Sequence, residues 1–536
     1  MSSNLSHRWP AQIKFIIGNE ACERFSYYGI TGILAGYITD AVTAGGLGES
    51  KDDATAIIHF FKFANYFMPL FGAWLSDKVI GRYRTILWIS MVYCLGNGVL
   101  ASSGFASDAH ARILCLCAGL GLIAFGSGGI KPCVSAFMGD QFKPDQSHLL
   151  QKAYGGFYWA INFGSFFSFL VIPWVKDASG YAIAFGVPGL LMALATLIFW
   201  RGTKYYVCQP TNHETRHAGF FTVFWTAYRG SRTVPWMALA NLFVTIGLPV
   251  LIMILMVCVF FGEAGGFAKT LGWLSASLIG VWYLLVIVLS LLRKTELPES
   301  FLRLAAARHN ENEIAAARSL SPILFIFAFV PVFWTLFDQM NSTWVMQGKQ
   351  MVSANVLGIN IGAEQMQSMN PLIVMGLVPL FTLGIYPHLG RFASPLKRMS
   401  YGMLLASASY LLVAMIQTRI EHGAQISVLW QTIPYLVITA GEVLFSTTGL
   451  EFAFREAAPE MKSTIMSFWL LTVSLGNLIV TTTTKLLASP TGGMHEQSVT
   501  SNRFLQYASL TFIVALLFSL VAFFYQYRDP AAARGK

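Results

Sequence analysis

The residues from Glu20 to Gly29 place two carboxylates and a guanidinium inside an apolar stretch that is long enough to cross a lipid bilayer. The polar side chains recur every three or four residues, which puts them on one face of a helix. They are Glu20, Glu23, Arg24, Tyr27 and Tyr28. Because charges inside a membrane are costly, they generally face a water-filled or substrate-filled cavity. The stripe therefore predicts one wall of a transport pathway.

The composition is typical of a protein with many membrane spans. The chain of 536 residues is 55% hydrophobic and only 12% charged, whereas soluble proteins carry about 25% charged residues. A spanning helix needs about 20 mainly apolar residues, and fourteen segments meet this requirement. They begin near Ile13, Ala54, Thr85, Ala111, Ala153, Tyr181, Trp236, Leu271, Pro322, Gln365, Met399, Ser427, Thr464 and Phe504. We expect an all-α polytopic membrane protein.

Lys and Arg are distributed unequally over the loops. If both termini are cytoplasmic, the cytoplasmic segments carry roughly three times as many of them as the external loops. This bias predicts the orientation and explains the net charge of +10 without a nucleic-acid partner. The first apolar run, from about Ile13, is too long for a signal peptide. The seven cysteines have the spacing of neither a disulfide framework nor a metal site.

Six predicted helices, then two, then six divide the chain into three parts. We expect an N-terminal six-helix bundle in residues 1–205 and a C-terminal six-helix bundle in residues 321–536. Residues 206–320 would form a linker with two extra transmembrane helices. Around Phe301 to Ala317 the linker also predicts an amphipathic helix on the cytoplasmic surface. Two six-helix halves joined by a linker are typical of the major facilitator architecture.

The loop between the second and third segments supports this architecture. Its Asp77, Gly81 and Arg82 resemble the loop signature of the major facilitator superfamily. In that fold each half contains two three-helix repeats, so the first, fourth, seventh and tenth helices of the two bundles are structurally equivalent. All four carry ionisable residues within apolar stretches. These residues are Glu20, Glu23, Arg24, Lys131, Asp338 and Glu442.

The equivalent charges predict a central cavity with an acidic and a basic side. Lys131 and Arg24 would meet the carboxylate of a zwitterionic substrate, and Glu442 would meet its ammonium group. A buried group that changes protonation state between two conformations links proton binding to their equilibrium. The sequence contains no nucleotide-binding lysine loop. We therefore expect a transporter, not an enzyme, that uses a proton gradient and no cofactor. The aromatic residues expected to line the cavity are Tyr27, Tyr28, Tyr66, Trp334 and Trp469.

Several motifs in both halves resemble those of the proton-dependent oligopeptide transporter family, and the extra helix pair is similar to that of its prokaryotic members. Together they are specific and cover most of the chain outside the middle helix pair. The motifs are Glu20–Gly29, Gly128–Pro132, Phe157–Ser165, Phe333–Gln339, Asn370–Pro371, Gly441–Ser446, Gly449–Phe452 and Ala458–Pro459.

The resemblance implies a role for each site residue. Glu20 and Glu23 would carry protons, with Arg24 as their ion-pair partner. Lys131 would exchange partners between a carboxylate of the first helix and either Glu442 or the peptide carboxylate. Asp338 would lie at the external gate. The residues implied at the peptide amino terminus are Glu442, Asn162 and Asn370. Those implied in the pocket lining are Tyr27, Tyr28, Tyr66, Trp469 and Ser446.

The chain departs from the family pattern at the external gate. Many members carry a basic residue eight positions after the second glutamate, and here that position is Thr31. On the second helix, His59 matches a histidine that is prominent in animal members, and Lys62 lies nearly one turn further on. We predict that His59 or Lys62 neutralises Asp338. Glu451, near the inner end of its helix, is expected to form a structural ion pair.

These patterns predict a proton-coupled symporter that imports di- and tripeptides by alternating access. Its expected location is the inner (plasma) membrane of a bacterial cell, with peptide, protons and lipid as partners and no obligate protein partner. One alternative is a symporter of the same fold for amino acids, nitrate or peptide-like compounds. Another is a peptide sensor that does not transport. Competition of dipeptide uptake by amino acids and nitrate, and uptake into liposomes, discriminate between these hypotheses.

Overall fold

The computed structural model describes residues 9–106, 108–142, 146–208, 219–230, 302–389, 394–458, 461–487, 499–525 and 527. Twelve of the fourteen predicted segments fall in these ranges, and each coincides with a helix. Among the described helices, eight are long and apolar enough to cross a membrane, or nine if one bent pair is counted as a single span. The two segments that begin near Trp236 and Leu271 lie outside the described residues, so the count of fourteen stays a prediction.

The first part of the chain contains seven α-helices within the described residues. They are α1 (Ile13–Thr39), α2 (Lys51–Phe67), α3 (Pro69–Lys78), α4 (Arg82–Ser103), α5 (Ala109–Gly139), α6 (Ser147–Arg201) and α7 (Phe220–Gly230). Helix α2 begins at a side-chain cap, because Ser50 Oγ accepts a hydrogen bond from the backbone N–H of Asp53 at 3.0 Å. Within α6 the backbone breaks at Gly180, where φ is +79°. The break divides α6 into the two segments that the sequence predicts.

The second part of the chain contains ten helices and one hairpin within the described residues. The helices are α8 (Glu311–Arg318), α9 (Leu320–Phe327), α10 (Val330–Phe337), α11 (Thr343–Gly348), α12 (Met369–Pro379), α13 (Tyr386–Leu389), α14 (Pro395–Glu421), α15 (Thr432–Glu456), α16 (Lys462–Leu487) and α17 (Ser501–Phe524). The strands are β1 (Ala354–Val356) and β2 (Ile359–Ile361), which pair antiparallel. The turn between them has positive φ at Leu357 and Gly358, as a two-residue hairpin with a type I′ turn requires. The sequence analysis did not predict this hairpin.

The ninth predicted segment, which begins near Pro322, is a broken helix. The chain bends by 45° between residues 311–327 and 330–348. Pro331 lies in the first turn of α10, where a missing N–H and a fixed φ favour a new helix start. A 3-10 turn, Asp338–Asn341, then separates α10 from α11. In this turn the polar side chains of Asp338 and Gln339 are buried.

The predicted amphipathic helix from Phe301 to Ala317 is not continuous. The chain instead forms a 3-10 turn, Leu304–Ala307, followed by α8. Asn310 and Glu313 form a capping box at the start of α8: Asn310 Oδ1 accepts from the Glu313 N–H at 2.8 Å, and Glu313 Oε2 accepts from the Asn310 N–H at 3.3 Å. A capping box starts a helix, so the sequence itself contained the signal for this break.

Close packing of α14 against α15 positions one wall of the cavity. Gly402 of α14 faces Gly441 of α15, and a Cβ added to either residue would lie 2.7 to 2.8 Å from the other's carbonyl oxygen. Small residues at such crossings allow two membrane helices to approach closely. Glu442 follows Gly441 directly, so this crossing holds its backbone in place.

The two halves of the molecule meet along α2 and α16. Ser474 of α16 donates a hydrogen bond to the Phe63 carbonyl of α2 at 2.9 Å. We call the end that carries residues 40–50 and 349–364 the outer end, since the charge distribution predicts that it is external. The gate residues described below lie between this outer end and the cavity.

Candidate functional site

The charged stripe of α1 forms a compact cluster, as predicted. Arg24 Nε lies 2.6 Å from Glu20 Oε1 and 3.1 Å from Glu23 Oε2. Both glutamates are buried, with 2% and 1% of their surface exposed. Ser127 of α5 donates a hydrogen bond to Glu23 Oε1 at 3.1 Å. The Arg24 Nε–H donates its hydrogen bond to Glu20, while Glu23 is held by the charge of Arg24 and by the Ser127 hydroxyl, a residue that was not predicted from the sequence.

Lys131 of α5 extends toward the same cluster but pairs with no carboxylate among the residues that the structure describes. Its ammonium nitrogen lies 4.3 Å from the centre of the Tyr27 ring and 4.5 Å from that of Tyr66. It is buried and has no hydrogen-bond partner among the described residues. Asn65 holds the Tyr27 hydroxyl at 3.1 Å. Contact with two aromatic faces offsets part of the desolvation of the cation, but its hydrogen-bonding capacity remains unused.

Glu442 of α15 forms the acidic side of the site. Asn370 of α12 donates to Glu442 Oε2 at 2.8 Å and to Thr439 Oγ1 at 3.1 Å. Asn162 of α6 makes no hydrogen bond to Glu442 among the described contacts, and its amide donates to the Tyr158 carbonyl of its own helix at 2.9 Å. The structure thus brings two of the three residues predicted at the peptide amino terminus into contact.

The aromatic residues predicted in the lining belong to both halves. The Trp334 and Trp469 rings meet edge to face at 6.2 Å, and both side chains are mostly buried. Tyr28 of α1 and Tyr66 of α2 each lie within electrostatic range of both Arg24 and Glu442. The two tyrosines therefore link the basic and the acidic side of the site.

Ser446 is also placed on the acidic side. It is half-buried and follows Glu442 by four residues of α15, so both lie on the same helix face. Trp469 packs directly over Gly449, further along this helix, where any side chain would overlap the indole ring.

Replacing Gly449 by Ala should therefore displace Trp469 and lower the midpoint of thermal unfolding, at a cost of about 1–3 kcal/mol. A matched control is Gly376→Ala in α12, because no atom lies within 4 Å of a Cβ added there. Thermal unfolding of both variants in detergent, followed by tryptophan fluorescence, checks this expectation. Equal midpoints for the two variants would contradict it.

Lys62 of α2 neutralises Asp338 at the predicted gate. Its ammonium nitrogen donates to Asp338 Oδ1 at 2.7 Å, to the Asp338 carbonyl at 3.1 Å and to Asn341 Oδ1 at 2.6 Å. Lys62 is 3% exposed and Asp338 is 6% exposed. The pair joins the two halves of the molecule, so it belongs to a conformation in which they are closed at this level.

Among the described contacts, His59 is connected to Asp338 through Asn477 of α16. Asn477 Nδ2 donates to Asp338 Oδ2 at 2.7 Å, which leaves Asn477 Oδ1 as the acceptor for His59 Nδ1 at 2.7 Å. His59 Nδ1 therefore carries a proton, and Nε2 contacts Ser342 Oγ at 2.8 Å. Of the two predicted partners of Asp338, Lys62 makes the ion pair. Sequence reasoning missed Asn341 and Asn477, although an amide in an apolar segment was a usable signal.

Thr31 and Glu451 have structural roles. The Thr31 hydroxyl donates to the Tyr27 and Tyr28 carbonyls, each at 3.2 Å, within its own helix. Glu451 pairs with Arg398 at 3.1 Å and Arg455 at 3.0 Å, which confirms the predicted ion pair. Within the part of the chain that the structure describes, no group of three His, Cys, Asp or Glu residues could hold a metal ion.

Two solved structures resemble the whole chain. One, described as an auto-inhibited POT family peptide transporter, is 35% identical with a TM-score of 0.77, and the match covers 97% of this chain and 98% of that one. The other, the POT family transporter PepTSo, has the same identity and TM-score over 97% of this chain and 99% of that one. These matches confirm the predicted all-α membrane fold of the major facilitator superfamily.

Curated relatives agree with the structural matches. Peptide transporter family 1 of Drosophila melanogaster is 35% identical over 427 residues, which are 78% of this chain and 49% of the relative. Human solute carrier family 15 member 2 is 31% identical over 429 residues, 78% of this chain and 50% of the relative. The chain thus spans about half the length of the curated relatives it matches. The sequence profile PTR2, described as the POT family, matches residues 83–499. The chain belongs to the POT family of membrane transporters.

Proposed function

We propose that this protein is a proton-coupled symporter that imports di- and tripeptides by alternating access. The observation that carries the proposal is the buried Lys131 ammonium, which has no hydrogen-bond partner among the described residues. The Glu442 carboxylate, which Asn370 holds at 2.8 Å, would supply the opposite charge of the same site. A zwitterion of peptide length offers a carboxylate for the first group and an ammonium for the second. Solved and curated peptide transporters with this fold support the proposal.

Substrate binding would satisfy Lys131 first. A peptide carboxylate placed beside its ammonium group makes a charge-assisted hydrogen bond, which the Tyr27 and Tyr66 rings cannot supply. The amino terminus would pair with Glu442, with Asn162 and Asn370 nearby. Tyr28, Trp334, Trp469 and Ser446 would contact the side chains of the peptide. The terminal charges of the peptide would then provide affinity, and the aromatic side chains of the site would accept peptide side chains of mixed polarity.

Proton coupling would begin at the α1 cluster. Arg24 Nε contacts both Glu20 and Glu23. If one of the two carboxyl groups takes up a proton, the other would keep Arg24 as its ion-pair partner without competition. Protonation from the external side, together with peptide binding, would favour closure of the outer gate at Lys62 and Asp338. Loss of the proton to the cytoplasm would free a carboxylate of α1 to pair with Lys131 and help release the peptide. His59 would support the gate through Asn477.

The remaining features follow the predicted organisation. Bundles in residues 1–205 and 321–536 would rock about the central site, and residues 206–320 would hold the extra helix pair. The protein would lie in the inner membrane of a bacterium with both termini cytoplasmic. It would need no cofactor, since the proton gradient supplies the energy. Its partners would be peptide, protons and lipid.

Reconstituted liposomes test the proposal. With an alkaline interior, wild-type protein should accumulate a labelled dipeptide, whereas Glu20→Gln and Glu23→Gln should reduce accumulation by at least about tenfold, since each removes one titrating group. Exchange of labelled for unlabelled peptide at equal pH needs no net proton movement. In the two variants, exchange should therefore be reduced less than accumulation. A wild type that accumulates no peptide would end the symporter proposal and favour a sensor.

Competition distinguishes the alternatives that share the fold. Unlabelled di- and tripeptides should inhibit uptake of the labelled dipeptide, and single amino acids and nitrate should not. Inhibition by an amino acid or by nitrate at the same concentration would instead favour a symporter for that solute. This comparison uses wild-type protein only, so it does not depend on any variant.

A further inference from the structure

A second layer of ion pairs joins the two halves at the outer end, beyond the gate of Lys62 and Asp338. Lys176 of α6 lies 2.6 Å from Glu364, which precedes α12. Lys349, directly after α11, lies 2.5 Å from Asp40, directly after α1. Each pair connects a residue of the N-terminal half with one of the C-terminal half. Both therefore exist only while the outer ends are closed.

The two pairs differ in burial. Glu364 is 3% exposed, and its Oε1 has no hydrogen-bond partner among the described residues. This oxygen packs against the backbone of α1 at Gly36, where any side chain would collide with it. The Asp40 side chain is 31% exposed, and the Tyr181 hydroxyl donates to its Oδ2 at 2.5 Å. Closure thus strips water from Glu364 but leaves Asp40 hydrated and hydrogen-bonded.

Lys176 has a second carboxylate within reach. Asp177, its neighbour on α6, lies 3.2 Å from the same ammonium nitrogen and has a side chain that is 59% exposed. If Glu364 becomes neutral, Lys176 keeps this partner in its own half. The closed state therefore tolerates a neutral Glu364 without leaving an isolated buried cation, whereas an ionised Glu364 must be desolvated with one oxygen unsatisfied.

The charges around the two carboxylates set which of them takes up a proton. Glu364 faces Lys176, Asp177 and Tyr181 from α6, Lys349 from the end of α11, and Asp40 from the end of α1. Burial raises the pKa of the Glu364 carboxyl, and the Lys176 and Lys349 ammonium groups oppose this only in part. Half-burial also disfavours ionisation of Asp40, but the Lys349 ammonium and the Tyr181 hydroxyl outweigh it and lower its pKa.

We propose that Glu364 is a further proton-binding residue of the transport cycle, which takes up a proton from the external side as the outer ends close. The inference rests on the proposed proton-coupled function. Glu364 holds a proton more tightly in the closed state than when it is exposed to water. Because of this linkage, external acid shifts the equilibrium toward the closed state. In the closed state Asp40 instead favours its ionised form, so its ion pair with Lys349 persists over the working pH range.

Spectroscopic distances across the outer end test this inference without peptide. Spin labels at Thr43 and Leu357, exposed residues of the two halves, report closed and open populations in lipid nanodiscs of a cysteine-free background. In wild type, the closed-to-open ratio should rise roughly threefold to tenfold between about pH 8 and about pH 5. In Glu364→Gln, which stays neutral with the same shape, the ratio should change less than about twofold.

Asp40→Asn is the matched control. It removes the other ion pair, so it should lower the closed fraction at every pH and keep the wild-type pH dependence. If Glu364→Gln retains the wild-type pH dependence, or if wild type shows none, the inference is wrong. If Glu364→Gln does not fold, Lys176→Met replaces it. Without the Lys176 ammonium, Glu364 should protonate at a higher pH, so the pH midpoint of the closed-to-open ratio should rise. A midpoint equal to that of wild type would count against the inference.

The result of the spin-label experiment can be separated from the result of the liposome uptake that tests the proposed function. The labels report closure of the outer end in protein that has no peptide bound and drives no uptake. Failure of wild-type liposomes to accumulate peptide would remove the symporter proposal but leave these distances interpretable. A pH-independent ratio with normal peptide accumulation would instead remove Glu364 from the set of proton-binding residues and leave the symporter intact.

Discussion

Replacing Lys62 by Met should open the outer gate and reduce proton-driven peptide uptake by at least about tenfold. The ammonium group makes three hydrogen bonds, two to Asp338 and one to Asn341, at a site that is 3% exposed. Removing one partner of a buried ion pair leaves the other charge uncompensated, at a cost of about 3–5 kcal/mol. The closed state bears this cost, whereas an open gate lets water reach Asp338. The same spin-label distances and uptake into liposomes measure both effects.

Two further variants show whether the loss of charge neutralisation at Asp338 causes the outer gate to open in Lys62→Met. Asp338→Asn in the Lys62→Met background removes the stranded carboxylate, so it should restore much of the closed population. Thr31→Val should leave the gate nearly unchanged, because the Thr31 hydroxyl bonds only to carbonyls of its own helix among the described contacts. Persistence of a wild-type closed fraction in Lys62→Met would show that another group neutralises Asp338.

Replacing Lys131 by Gln should abolish discrimination between peptides with a free carboxylate and peptides with an amidated C terminus. In wild type, the free acid gains a charge-assisted hydrogen bond from a buried ammonium that has no hydrogen-bond partner within the described ranges, and such bonds contribute about 1.5–3 kcal/mol. That energy corresponds to a preference of roughly 10- to 150-fold over the amide. In Lys131→Gln the affinity ratio should approach one, mainly because the free acid binds more weakly.

Inhibition of labelled dipeptide uptake by the two forms of an unlabelled peptide measures this ratio. Lys152→Gln is a suitable control, because it removes the same charge from an exposed position of α6 and should keep the preference. A Lys131→Gln protein that still prefers the free acid tenfold would place the peptide carboxylate elsewhere, with Arg24 of α1 as the other cation on the basic side.

The helical stripe and the cavity it lines were predictable from the sequence for a local reason. Residues spaced by three and four share a helix face whatever surrounds them, so Glu20, Glu23 and Arg24 had to lie together. The placement of Lys131 and Glu442 on equivalent helices follows from the repeat structure of the fold. The described helices match twelve of the predicted segments, since length and hydropathy decide what can cross a bilayer.

Contacts between distant helices were not predictable in the same way. His59 and Lys62 are nearly one turn apart on α2, and both could have reached Asp338. The packing of α2 against α16 inserts Asn477 between His59 and the carboxylate and leaves Lys62 in direct contact. The Glu364 and Lys176 pair lies 188 residues apart in the chain, and Glu364 comes from a loop without a motif.

The sequence by itself determined that the chain crosses a membrane many times and carries paired charges inside it, because hydropathy and helical periodicity are local properties. It also carried the motifs of the POT family. Only the tertiary structure decided which cation neutralises Asp338, that Lys131 has no hydrogen-bond partner among the described residues, and that Glu364 is buried at the outer end. These properties depend on which side chains exclude water from one another, and that is settled by the packing of helices that are far apart in the chain.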